Sequence, residues 1–103
     1  MGLSDVVSPP SGVSIDNDDI TVDDTEGGVV LLEANSERKS ALIINIGAEP
    51  MRVTTDGSVP TATHGKLVIG GASLTLSSPC SVKEIKAIRQ GDNNTTVNAS
   101  EVN

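Results

Sequence analysis

The stretch Ser40-Ala41-Leu42-Ile43-Ile44-Asn45-Ile46-Gly47-Ala48-Glu49-Pro50-Met51-Arg52-Val53-Thr54-Thr55-Asp56-Gly57 decides the fold class of this chain. It holds two short apolar, β-branched runs, Ala41–Ile46 and Met51–Thr55, each closed by a turn signal, Asn45-x-Gly47 and Asp56-Gly57. Val, Ile and Thr suit a pleated surface, whereas Gly, Asn and Asp tolerate the positive φ that turns require.

Outward from this stretch the same pattern recurs from Ile20 onward. Further candidate strands are Ile20–Asp23, Val29–Glu33, Lys66–Ile69, Ser73–Leu76, Val82–Arg89 and Thr96–Val102. Gly27-Gly28, Gly70-Gly71 and Gly91-Asp92-Asn93-Asn94 supply turns, and Gly70-Gly71 between two apolar runs is the strongest hairpin signal. Turns spaced about every 8–12 residues predict an all-β sandwich or barrel. One segment is ambiguous, because Val82, Ile85 and Ile88 also fall three apart as on a helix face. Strand neighbours on both sides favour strand there.

With 103 residues, the chain holds one domain at most. Val, Ile and Leu number 27, enough to fold, but Phe, Tyr and Trp are absent, so the expected core is thin. Thin cores lean on disulfides, metals or oligomerisation. Cys80 is the single cysteine and His64 the single histidine, so neither an intrachain disulfide nor a Cys/His zinc site can form in one chain. A homo-oligomer is therefore expected. The N-terminal residues lack a secretory pattern and no apolar run suits a membrane span, so the sequence predicts a soluble cytoplasmic product without a membrane partner.

Charge divides the chain. Residues 1–37 carry nine acids and no base, whereas all seven Lys and Arg fall in residues 38–103 with five acids. Residues 1–19 also contain Ser8-Pro9-Pro10-Ser11-Gly12 and read as an extended acidic N-terminal arm, with a β-sandwich domain over 20–103. A phosphate backbone needs a basic face, so nucleic acid is not an expected partner.

Reactive constellations are missing from the sequence. Asp16-Asn17-Asp18-Asp19 begins like a Ca²⁺ loop, but Ile20 and Thr21 stand where the fifth ligand and the obligatory Gly belong. His64, in Thr61-Ala62-Thr63-His64-Gly65, has no nucleophile motif beside it. Cys80, after Pro79, has no neighbouring cation or second Cys to lower its pKa. No enzyme activity, cofactor or metal is expected, and the lack of aromatics removes the stacking platform that sugar sites commonly use.

From Arg38 on, a further pattern lies in the order of elements: Arg38-Lys39-Ser40-Ala41-Leu42-Ile43-Ile44-Asn45-Ile46-Gly47, then Pro50-Met51-Arg52-Val53, then Thr61-Ala62-Thr63-His64-Gly65, Leu67 and Gly70, and last Ile85-x-Ala87-Ile88. This order resembles a small β-sandwich module of tailed-bacteriophage virions, found in head decoration (cement) and other accessory structural proteins. The resemblance covers residues 38–103 and leaves the arm unmatched. It implies a jelly-roll-like body that sits as a homotrimer on the capsid surface of a virion assembled in the host cytoplasm. It also implies an arm laid over the major capsid protein. Leu3, Val6, Val7, Pro9, Pro10, Val13 and Ile15 are the arm residues expected to make that contact. The runner-up is a tail, fibre or baseplate accessory protein that binds a receptor or glycan; a small cupin-like enzyme comes third, opposed by the single histidine.

Overall fold

The computed structural model describes residues 13–77 and 79–103. Nine strands follow in order: β1 Ser14–Asp16, β2 Ile20–Val22, β3 Val29–Leu32, β4 Ser40–Asn45, β5 Met51–Thr54, β6 Lys66–Val68, β7 Ser73–Leu76, β8 Ile85–Arg89 and β9 Thr95–Val102. There is no helix among the described residues, and the ambiguous segment is strand from Ile85. Its alternate residues Ile85 and Ala87 are fully buried, the period-2 pattern of a strand with one face inward.

The strands form two antiparallel sheets. Sheet A runs β1/β2-β9-β4-β7, with β1 and β2 both on β9, and sheet B runs β3-β8-β5-β6. Setting β1 aside, the pairs β2·β9, β3·β8, β4·β7 and β5·β6 are those of one long antiparallel ribbon rolled over on itself. That is a jelly-roll β-sandwich.

Alternation places the core between the sheets. In sheet A, Ile43 lies opposite Ala99 on one side and Leu74 on the other, and Asn45 lies opposite Val97. In sheet B, Met51, Val53, Ile85 and Ala87 are fully buried. Ile43, Met51 and Ile85 are the largest of the wholly buried side chains, so the core is built from medium-sized aliphatic groups.

Two readings of the sequence change. Gly70-Gly71 does not close a hairpin, because β6 pairs only with β5 in sheet B and β7 only with β4 in sheet A. The two glycines instead carry the chain from one sheet to the other. Gly71 has φ +84°, and a Cβ on Gly70 would stand 2.6 Å from the Ala48 backbone, so this crossing is packed tightly under the β4–β5 turn. Positive φ marks a tight turn and does not say whether the flanking strands pair. Residues 13–19, grouped with the arm by composition, lie along the edge of sheet A: Ile15 is opposite Glu101 in β9, and Val13 exchanges both backbone hydrogen bonds with Asn103.

Candidate functional surface

Among the described residues, the small polar cluster with a reactive look is Asp56, Ser58 and His64. Asp56-Gly57-Ser58 forms a turn in which the Ser58 amide and hydroxyl donate to Asp56 Oδ1 at 3.0 and 2.5 Å. The Thr61–His64 bridge folds the following loop so that His64 Nε2 lies 2.9 Å from Ser58 Oγ. These groups line a shallow depression with Thr54, Thr55 and Lys66. A carboxylate only accepts, so the single Ser58 proton is committed to Asp56 and His64 donates into Ser58. Serine sits in the middle of Asp–Ser–His, whereas nucleophilic catalysis needs histidine in the middle to take the serine proton. The Ser58 hydroxyl, then its amide, hold the exposed Asp56 carboxyl below its ordinary value. The arrangement ties a loop together. Sequence reasoning missed the contact of Ser58 with His64, and no motif at that spacing signals it.

Cys80 is half-buried with its thiol toward the Ser81 carbonyl at 3.4 Å. Burial pushes its pKa up, which favours the protonated thiol at neutral pH.

A second polar group closes one end of the core. The Arg38 side chain is wholly buried and its guanidinium donates to Glu101 Oε1 at 2.8 Å, to the Ser81 and Lys83 carbonyls at 2.9 Å each, and to the Glu33 carbonyl at 2.6 Å. Asn35 Nδ2 adds a bond to Glu101 at 3.0 Å. Four chain segments are thereby clasped, and every one of these partners is a protein group. At the opposite end, buried Asn45 donates to the Glu49 and Val68 carbonyls and accepts from the Gly47 amide and the Thr95 hydroxyl. The sequence reading placed Asn45 at the end of the strand Ala41–Ile46 and in a turn signal, and Arg38 at the start of the ordered pattern, with no buried network at either.

The outer faces of the two sheets and the cleft between them complete the surface. On the outer face of sheet A, Leu42 stands between Ser100 and Thr75, and Ile44 between Asn98 and Ser73, with Ile46 half-exposed beyond them. An apolar file thus runs down a face of small polar residues, flanked by the acids Asp16, opposite Ser100, and Asp19, which accepts from Asn98 Nδ2 at 3.1 Å. On the outer face of sheet B, Arg52 lies between Leu67 and Ile88, and Lys86 between Val30 and Thr54. Where β1/β2 and β3 come close, a cleft of about 360 Å³ opens between the sheets; Leu31 and Leu32 lie in it with Asn17, Asp18, Asp19, Glu33 and Glu101. Among the described residues no three His, Cys, Asp or Glu side chains gather as a metal would need.

Of the expected capsid-contact residues, Leu3, Val6, Val7, Pro9 and Pro10 lie outside the described residues. Val13 is 66% exposed at the start of the edge strip. Ile15 is half-buried in β1, on the same side of sheet A as Glu101, so it packs into the body. No family model and no curated protein sequence matches the chain.

Proposed function

We propose that the protein is a decoration (cement) protein of a tailed-bacteriophage head, binding the outer surface of the major capsid protein as a homotrimer and stabilising the shell. The observation that carries this reading is where the residues of the resemblance fall. At the corner between β4–β5 and β6–β7, Asn45 bonds Val68 and Gly71 while Gly70 packs on Gly47 and Ala48, and Gly65 lets the start of β6 approach the Val53 backbone. Ile85 and Ala87 form the inward face of β8. The ordered pattern is thus the skeleton of one jelly roll from β4 to β9. Its outer sheet faces offer shape and apolar contact, and its serine and histidine are spent on holding a loop.

Antibody labelling of purified virions of the encoding phage tests the proposal. Even labelling of the head surface in negative-stain micrographs is expected. Label confined to the tail would move the protein to the runner-up class, and virions free of label would sink both.

A further inference from the structure

The edge strands of the sandwich differ in how they are protected. The β1/β2 edge is interrupted at Asn17–Asp19 and lined with acids, β3 carries a register shift between Val30 and Leu32, and β6 opens with Lys66. Strand β7, Ser73-Leu74-Thr75-Leu76, has no charge, proline or bulge, and among the described residues it pairs with β4 on one side only. Soluble proteins blunt or cover such an edge, because its unpaired amides and carbonyls template pairing with another chain. Beside it, β6 exposes Leu67 at 52%, and Ile69 just beyond at 58%.

Charge separates this side of the sandwich from the other. The β6–β7 side carries Lys66 and His64 with a single acid, Asp56, in the loop before β6, and residues 57–82 contain none. The β1/β2 and β3 side exposes Asp16, Asp18, Asp19, Asp24, Glu26 and Glu33, and Arg89 there is bound to Asp24 at 3.2 Å. We propose that the β6–β7 side of one copy receives the acidic β1/β2 side of a second copy, with β7 pairing edge to edge so that sheet A continues from copy to copy. The inference rests on the homotrimer of the proposed function and names its interface; it requires no capsid. A two-fold contact through β1/β2 sets acid against acid, and a closed ring of three needs a head-to-tail contact in any case.

Thr21 in β2 and Thr75 in β7 are both exposed and alternate with inward residues, so they fall on the same outer face of a continued sheet. In a Cys80→Ser background, Thr21→Cys and Thr75→Cys are made separately with tags of different mass, mixed, and treated with a short bismaleimide. Most of the cross-linked product is expected to be the mixed pair. A protein carrying both cysteines closes into a covalent trimer. Lys66→Glu places an acid on the receiving side and lowers cross-linking several-fold with the circular dichroism spectrum unchanged; Asp16→Lys with Asp19→Lys in the partner restores it. Predominant Thr75→Cys self-pairs overturn the head-to-tail arrangement. A trimer by light scattering without the mixed pair overturns this interface and leaves the trimer itself standing, whereas a monomer at high concentration without cross-linking overturns both.

Discussion

Arg38 Nε donates to Glu101 Oε1 at 2.8 Å with the Arg38 side chain fully removed from solvent and Glu101 nearly so. The pair joins the approach to β4 with the inward face of β9, and three carbonyls complete the guanidinium's partners. Removing one member of such a pair leaves the other charge buried and unpaired, at a cost of about 3–5 kcal/mol. Arg38→Ala is therefore expected to lower the urea midpoint severely. Arg38→Lys recovers only part of the loss, because an ammonium cannot reproduce the planar fork that reaches Ser81, Lys83 and Glu33 together. Equal stability of Arg38→Lys and the parent protein would falsify the clasp.

Asn45 supplies both halves of an amide to the opposite end. Its Nδ2 donors serve Glu49 and Val68, and its Oδ1 takes the Gly47 amide and Thr95 hydroxyl. Asn45→Ala strands buried partners at about 1–3 kcal/mol each when no water replaces them. Asn45→Asp is expected to be worse than Asn45→Ala despite its nearly identical shape, because it turns two donors into an acceptor facing two carbonyls. The order of the two thermal midpoints decides the point.

Two turn carboxylates set part of the acid sensitivity. The Thr25 hydroxyl and amide lower the pKa of Asp23, and those of Ser58 lower that of Asp56, both from an ordinary value of 3.8. A depressed folded-state pKa contributes stability that is present in full above the unfolded value and is lost as pH falls through the folded one. The double variant Asp23→Asn, Asp56→Asn should be less stable than the parent at neutral pH, and the gap should narrow below about pH 4. A gap that widens on acidification contradicts the assignment. Both groups are exposed, so the effect is small.

Neither Cys80 nor His64 is expected to carry function. Iodoacetamide should modify Cys80 more slowly than free cysteine at neutral pH, as a half-buried thiol with raised pKa requires. Cys80→Ala and His64→Ala should each retain target binding. Loss of binding with the fold intact would identify a site at that residue.

The arm is best tested by two truncations, because β1 belongs to the sheet. Deleting residues 2–12 removes Leu3, Val6, Val7, Pro9 and Pro10 with one acid, Asp5, and should leave the β spectrum unchanged while weakening binding to undecorated heads. Deleting residues 2–19 also strips β1 from β9 and removes Asp16, Asp18 and Asp19, so it should lower the thermal midpoint as well. Its additional binding loss should be larger at low salt, where charge contacts are not yet screened. Identical binding by both truncations and the parent would remove the arm from the interface.

Eight of the nine strands were legible because each carries an apolar or β-branched run bounded by Gly, Asn or Asp. Strand β1 was not: Ser14-Ile15-Asp16 has a single apolar residue, and what makes it a strand is the free edge of β9, far along the chain. The sheet crossing at Gly70-Gly71 read as a hairpin because backbone conformation is local while strand partnership is not. The Arg38 and Asn45 networks were hidden for the same reason, since Glu101 lies 63 residues from Arg38 and Thr95 lies 50 from Asn45.

The nested pairing of the ribbon also sets an order of events during synthesis. Only β5 and β6 pair with their immediate neighbour in sequence; every other ladder joins strands with at least two others between them. Strand β9, the last of the nine to leave the ribosome, holds β1, β2 and β4 together in sheet A. Until residues 95–102 emerge, β1 and β2 have nothing to pair with, and β4 and β7 form an isolated ladder. Native structure in sheet A is thus gained in one late step, once β9 is free to pair, and on the slow side, as non-local β pairing requires. A nascent chain stalled before residue 95 would present its apolar strands to chaperones and proteases instead of a partly finished domain.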